Sequence, residues 1–166
     1  MKKFRISREM AYDVICYVVM SVFALAILLI FSRETSPLFG SAFHKMDSIQ
    51  YKSAGAGMLD GLVPFRDFFH QKGVSFFYIE ALGELLCRIF NDNRLGTFII
   101  QFVNLVVSLG FMFSTAKTLL KKVCTKPGLL RGISLLAICP AMYLFVSTFM
   151  PGNYTEEFSI LFNVIS

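Results

Sequence analysis

The sequence predicts an all-α integral membrane protein, a multispanning helical bundle with interfacial helices in its first outer loop. Hydrophobic residues make up 55% of the 166 residues, and the mean hydropathy is +0.64, which is typical of membrane proteins. Several apolar runs are long enough to cross a bilayer. The net charge of +5 comes from basic residues beside these runs. We therefore interpret it as a topology signal, and we expect no nucleic-acid partner.

The first predicted span covers residues 14–31, which carry no charge and would reach about 27 Å as a helix. Basic residues precede it, so the amino terminus is expected in the cytoplasm. A cleaved signal peptide is the alternative interpretation. The length of the run and the absence of a small-x-small cleavage site favour a retained anchor.

Two further uncharged runs, residues 95–116 and 132–149, predict a second and a third span. A fourth apolar run starts at about residue 158 and reaches Ser166 without a cap or a loop. We therefore expect residues 1–166 to be the amino-terminal part of a larger multi-pass protein of the plasma membrane.

Residues 74–90 could span the membrane or lie along its surface, because Glu80, Glu84 and Arg88 recur on one face of an otherwise apolar helix. Each charge would cost roughly 2.5–3.5 kcal/mol at the centre of a membrane. An amphipathic helix lying in the interface avoids that cost. It also keeps the basic residues between 117 and 131 in the cytoplasm. This topology leaves an outer loop with interfacial helices over residues 32–94 and a second outer patch over residues 150–157.

The outer loop holds most of the polar chemistry of the chain and two motifs with a family resemblance. The first is Asp47-Ser48-x-x-Tyr51. The second is Gly61-x-x-Pro64-Phe65-Arg66-Asp67-Phe68-Phe69-His70-x-Lys72-Gly73, followed by an aromatic-rich helix. Together they resemble the first outer loop of the GT-C-fold glycosyltransferases that use polyprenyl-phosphate sugars. That family includes the protein mannosyltransferases, the aminoarabinose transferases and the RgtA-like bacterial proteins.

The resemblance implies a transferase of the cell envelope that moves a sugar from a polyprenyl-phosphate donor to a glycan, lipid or protein acceptor on the outer face. Asp47 matches the family's catalytic acid, and Lys72 matches the lysine of its Lys-Pro-Pro or Lys-Gly-Pro segment. Val74 departs from the pattern, since the family usually has proline there. Glu156 and Glu157 lie where the family has a second acidic site. Because the family's proteins are several times longer, we expect this chain to be inactive alone.

The residue types agree with this chemistry. A carboxylate such as Asp47 can take the proton of an acceptor hydroxyl, while Arg66 and Lys72 can hold the departing phosphate. Tyr51, Glu156 and Glu157 are the remaining predicted substrate contacts. No cofactor is predicted. His44 and His70 are interpreted as solvated loop residues and not as metal ligands. The sequence leaves open whether the protein uses a divalent metal ion.

Each of these residues also has a structural interpretation. Asp47 can cap a helix running toward Met58, and Lys72 can anchor the loop at the membrane surface. Arg66 can pair with Asp67. Glu156 and Glu157 can serve as acidic residues at the start of a helix.

Two other functions remain open from the sequence: a transporter or flippase-type protein, and a small non-enzymatic membrane subunit. Transport is disfavoured because the three clear spans carry no charge, whereas transporters place charged groups or broken helices at the midplane. A loop this rich in charged and aromatic residues exceeds what an inert anchor requires.

Overall fold

A computed structural model describes residues 8–39, 46–69 and 73–149, with side chains except those of residues 46 and 142–149. Within these residues the chain is all-helical, with no β-strand. The five helices are α1 (Arg8–Phe31), α2 (Met46–Leu59), α3 (Val74–Phe90), α4 (Leu95–Leu120) and α5 (Pro127–Phe149).

The helices match the apolar runs of the sequence but extend beyond them. The predicted interfacial helix has the same bounds as α3, and the helix expected to run toward Met58 is α2. The runs 14–31, 95–116 and 132–149 lie inside α1, α4 and α5. The run that starts at 158 lies outside the described residues.

Helices α1 and α4 pack side by side in opposite directions. Near the start of α1, Tyr17 contacts Phe113 edge to face, with the ring centroids 5.6 Å apart. Just beyond the other end of α1, Thr35 donates a hydrogen bond to Gln101, near the start of α4. Ala24 and Phe113 are fully buried in the apolar core between them. The two chain directions are therefore opposed along the whole length of the pair.

Helix α5 completes this bundle and runs in the same direction as α1. Arg131, in the second turn of α5, reaches Asp13 in the second turn of α1. Further along, Ile138 is buried in the core shared by α1 and α4. The bundle thus has a basic end, where Asp13, Lys117 and Arg131 meet, and an opposite end where α4 begins.

The outer faces of the bundle are strongly apolar. Among the described residues, α1 and α4 are long and apolar enough to cross a membrane. Only 28% of the apolar window of α1 and 39% of that of α4 is buried. Val18, Val22 and Phe23 are each at least half exposed. Contiguous exposed apolar surface of this kind is unfavourable in water and suits contact with lipid.

Helix α2 packs closely on α3, with Gly55 at a point of close approach. A Cβ atom at Gly55 would lie 2.7 Å from the carbonyl carbon of Glu80, so only glycine permits this approach. Tyr51 of α2 contacts Phe76 in the amino-terminal half of α3. The adjacent Lys52 reaches Glu84 in the carboxyl-terminal half. Helix α2 therefore contacts both halves of α3.

Helix α3 in turn lies across the first turns of α4. Gly83 packs against Thr97, and a Cβ atom at Gly96 would overlap the carbonyl oxygen of Gly83 and the amide of Cys87. Ile100, one turn further along α4, packs on the aromatic cluster at the start of α3. These contacts all lie in the first two turns of α4. The pair α2–α3 therefore lies at the end of the bundle where α4 begins, opposite to the basic end, and we call it the α2–α3 end.

Candidate functional site at the α2–α3 end

Asp47 lies in the first turn of α2 and is exposed. Within the described residues its carboxylate forms no ion pair. Its neighbour Ser48 is fully buried, and the Ser48 hydroxyl has no hydrogen-bond partner among them. Asp47 is the second residue of α2, so it lies inside the helix and not at its N-cap position. Its role as a general base stays a prediction.

Tyr51, one turn after Asp47, is buried, and 3% of its surface is exposed. Its ring meets Phe76 edge to face, with centroids 4.8 Å apart. This contact fixes the first turns of α2 on α3. A role of Tyr51 in substrate binding stays a prediction, and in this structure the ring is part of the core.

The charged face of α3 turns toward α2. The Lys52 ammonium lies 3.1 Å from the Glu84 carboxylate and also bonds to the Asn93 carbonyl oxygen. Arg88 donates to Glu84 at 3.5 Å and to Asp60 at 3.0 Å. The pair Glu84–Arg88 was predicted from its spacing, whereas Lys52 and Asp60 were missed. No local pattern in the sequence links them to α3.

Glu80, on the same face, is 2% exposed, and its backbone lies against Gly55 of α2. The opposite face of α3 carries a stripe of exposed apolar side chains. It consists of Tyr78, Leu82, Leu85 and Ile89. The helix is therefore amphipathic as predicted, with its charges covered by α2 and its apolar stripe open to the surroundings.

Arg66 and Asp67 pair within a turn after α2. The guanidinium donates from Nε to Oδ1 at 3.0 Å and from Nη2 to Oδ2 at 2.7 Å. Asp67 also accepts the Val63 amide at 2.8 Å. The bonds from Arg66 and Val63 lower the pKa of Asp67 to about 2, and the carboxylate raises the pKa of Arg66. Arg66 remains largely exposed, so its remaining donors are open to an anion.

Aromatic contacts hold this turn against α3. The Phe68 ring lies 5.5 Å from Phe77, which is fully buried. Phe77 in turn neighbours Phe76, the partner of Tyr51. The Arg66 turn and the start of α2 therefore pack on adjacent residues of α3. No direct contact between Asp47 and Arg66 fixes the distance between these two side chains.

Five further residues from the sequence analysis fall outside the described part of the chain. They are Lys72, Glu156, Glu157, His44 and His70. Their predicted roles stay predictions.

A second charged cluster, at the basic end, was missed by the sequence analysis. Asp13 accepts from Lys117 and from Arg131, each at 2.8 Å. Arg131 also pairs with Glu9. These residues line a cavity of about 540 Å³ between the ends of α1, α4 and α5. No spacing within the sequence relates positions so far apart.

Among the described residues, no group of three histidines, cysteines or carboxylates is arranged to hold a metal ion. Comparisons with family models, with curated proteins and with solved structures find no match to this chain.

Proposed function

We propose that the chain belongs to an integral membrane glycosyltransferase that moves a sugar from a polyprenyl-phosphate donor to an acceptor at the outer face of the plasma membrane. The observation that carries the proposal is the placement of Asp47. This exposed carboxylate lies on a helix that covers the charged face of an amphipathic helix, at the bundle end away from the basic residues.

The orientation follows from the antiparallel bundle. The helices α1, α4 and α5 cross the membrane, and their basic end, with Lys117, Lys121 and Arg131, stays in the cytoplasm. Because α2 and α3 cap the opposite end, they lie at the outer surface. The multi-pass topology with a cytoplasmic amino terminus is thereby supported by contacts as well as by charge.

The exposed stripe on α3 supports an interfacial position for this helix. Its members Leu82, Leu85 and Ile89 point away from α2. An apolar stripe at the membrane boundary is stabilised by contact with acyl chains. Because Glu84 and Arg88 are paired with Lys52 and Asp60, and Glu80 is buried, the apolar stripe faces the lipid without these charges. Asp47 then lies near the depth at which a lipid-linked phosphate meets water.

The chemistry needs one base and a cationic environment. Asp47 accepts the proton of the acceptor hydroxyl as that oxygen attacks the anomeric carbon and the bond to the donor phosphate breaks. Arg66 and Lys72 stabilise the charge that grows on the leaving phosphate. One displacement without a covalent intermediate inverts the anomeric configuration.

The reaction is tested with Asp47→Asn in the protein expressed from its complete reading frame. Sugar transfer in membranes supplied with polyprenyl-phosphate sugars should fall about 100-fold or more, as expected for loss of a general base. Asp60→Asn is the matched control, because Asp60 is also an exposed acid of the α2–α3 end and, within the described residues, its ion-pair partner is Arg88. Equal activity of the Asp47 variant and the wild type would refute the catalytic role.

The orientation is tested separately by labelling single cysteines with a membrane-impermeant thiol reagent, in a background lacking the native cysteines. Lys121→Cys should react only from the cytoplasmic side, and Ser53→Cys, on an exposed position of α2, only from outside. Labelling of both from the same side would refute the topology while leaving the assignment of Asp47 to be judged by the transfer assay.

A further inference from the structure

The cavity at the basic end carries more positive than negative charge. Its walls include Lys117, Lys121 and Arg131 against two carboxylates, those of Glu9 and Asp13. Asp13 is shared between Lys117 and Arg131, and Glu9 also contacts Arg131. Within the described part of the chain, Lys121 has no ion-pair partner. Its ammonium is therefore available to a ligand.

Helix α5 adds to the attraction for an anion. The cavity reaches Pro127, the first residue of α5, so the positive end of that helix dipole faces the same space. Thr125 supplies a hydroxyl group beside it, whereas the Thr118 hydroxyl donates to the Ser114 carbonyl oxygen. The cavity thus combines a lysine without an ion-pair partner among the described residues, a hydroxyl group and a helix start.

An apolar groove lies on the same face of α4, one turn toward the middle of the helix. It has a volume of about 390 Å³ and lies against Tyr17, Val107, Gly110 and Ser114. Ser114 is followed at helical spacing by Lys117 and Thr118, which line the cavity. The cavity and the groove therefore form one track along the seam between α1 and α4.

We propose that this track binds an anionic phospholipid of the cytoplasmic leaflet. Its phosphate lies in the cavity beside Lys121, and one acyl chain lies in the groove beside Tyr17 and Gly110. Basic cavities between membrane helices on the cytoplasmic side suit such headgroups. The proposal rests on the membrane orientation proposed above but not on the transfer reaction, because it concerns the end of the bundle opposite to Asp47.

The groove distinguishes a phospholipid from a soluble phosphate as the ligand of this track. A free phosphate would use only the charged cavity and would leave the apolar lining of the groove exposed. A phospholipid covers both parts at once. Binding should consequently respond to changes in either part.

The charged part is tested by titrating the detergent-solubilised protein with phosphatidylglycerol and counting bound lipids by native mass spectrometry. Lys121→Gln should weaken binding about fivefold, as expected from about 1 kcal/mol per basic residue near an anionic lipid. Lys122→Gln is the matched control, because Lys122 is adjacent in sequence and does not line the cavity. Equal effects of the two variants would overturn the proposal, since they would indicate a diffuse basic surface.

The apolar part is tested with Val107→Trp, which fills the groove from an exposed position. Binding of phosphatidylglycerol should fall, whereas Val103→Trp, one turn away and outside the groove, should leave it unchanged. Circular dichroism checks that both variants fold. If inorganic phosphate competes fully with the lipid and Val107→Trp has no effect, the cavity is a site for free phosphate and the lipid proposal is refuted. Equal binding of phosphatidylcholine would refute it as well.

Discussion

The two ends of the helical bundle are held together in different ways. At the basic end, the charge pairs join residues more than a hundred positions apart, Asp13 to Lys117 and Asp13 to Arg131. At the α2–α3 end, the charge pairs span shorter separations. Arg66 pairs with its neighbour Asp67, and Arg88 pairs with Glu84 and, 28 positions away, with Asp60. The close contacts there between helices depend on glycine. One end is therefore closed by long-range electrostatics and the other by backbone proximity.

The charge pairs at the two ends also differ in how much they stabilise the protein. The Arg131 side chain at the basic end is 10% exposed, so its attraction to Asp13 is only weakly screened by water. The Arg66 side chain at the other end is 68% exposed, and such surface pairs contribute little, about 0–1 kcal/mol. Changes to backbone contacts should therefore dominate at the α2–α3 end, and changes to charge should dominate at the basic end.

The largest expected effect comes from Gly96→Leu, which breaks the contact between α3 and α4. The new side chain would overlap backbone atoms of Gly83 and Cys87, and backbone cannot move aside without separating the helices. We expect a loss of about 3 kcal/mol or more in the free energy of unfolding, measured by circular dichroism during denaturant titration in detergent. Gly132→Leu is the control, because nothing lies within 4 Å of a Cβ atom there. Comparable losses in both variants would show that the close approach at Gly96 does not hold the two regions together.

The next effect is that of Asp13→Asn at the basic end. The change leaves Lys117 and Arg131 without their shared carboxylate in a partly desolvated site. We expect a loss of about 2 kcal/mol in the same titration, below the 3–5 kcal/mol of fully buried pairs. Glu9→Gln should cost far less, since the Glu9 side chain is 63% exposed. If Glu9→Gln destabilised the protein as much as Asp13→Asn, the central role of Asp13 would be wrong.

A smaller effect is expected for Lys52→Gln, which removes the link from α2 to Glu84. The two side chains are 20% and 14% exposed, so the pair is partly shielded from water. The loss should be about 1 kcal/mol, near the upper value for exposed pairs. Lys122→Gln, at an exposed position in the turn after α4, should change the unfolding free energy by less than about 0.5 kcal/mol. A larger loss at Lys52 than at Asp13 would reverse the comparison between the two ends.

Local features of the fold could be predicted from the sequence, and long-range ones could not. The bounds of α3 and the start of α4 follow from periodicity and from the polar residues between them, of which Asp92 accepts the amides of Arg94 and Leu95. The predicted spans end at the first charge, whereas α1 includes Asp13 and α4 includes Lys117. Charged residues can lie inside a membrane helix where a partner neutralises them.

At the candidate site, too, the sequence predicts local contacts but not contacts between distant residues. The spacing of Glu84 and Arg88 predicts their pairing, because residues four apart share a helix face. Periodicity also predicts that α3 has a charged face, but it does not predict which residues contact that face. The answer depends on Gly55, which allows α2 to pack closely on α3 and so brings Lys52 and Asp60 near its charged face. The cavity beside Arg131 was missed for the same reason.

The smallest effect concerns pH at the Arg66 turn. The pKa of Asp67 is about 2 in the folded protein, below its ordinary value of 3.8, chiefly because Arg66 and the Val63 amide bond to the charged form. The contribution of this carboxylate to the turn is therefore complete above about pH 4 and is lost as the pH falls through about 2. The chemical shift of the Val63 amide, followed by NMR in detergent micelles, should titrate with a midpoint near 2.

Arg66→Gln sharpens this test, because it removes the larger cause of the shift and keeps the bond from Val63. The midpoint should move up toward 3.8 without reaching it. A wild-type midpoint at 3.8 would mean that the pair does not persist in solution. Since Arg66 and Asp67 are adjacent and exposed, acidification through this range should release the turn while the Gly96 contact between α3 and α4 remains. A simultaneous loss of helix packing would show that the α2–α3 end depends on charge after all.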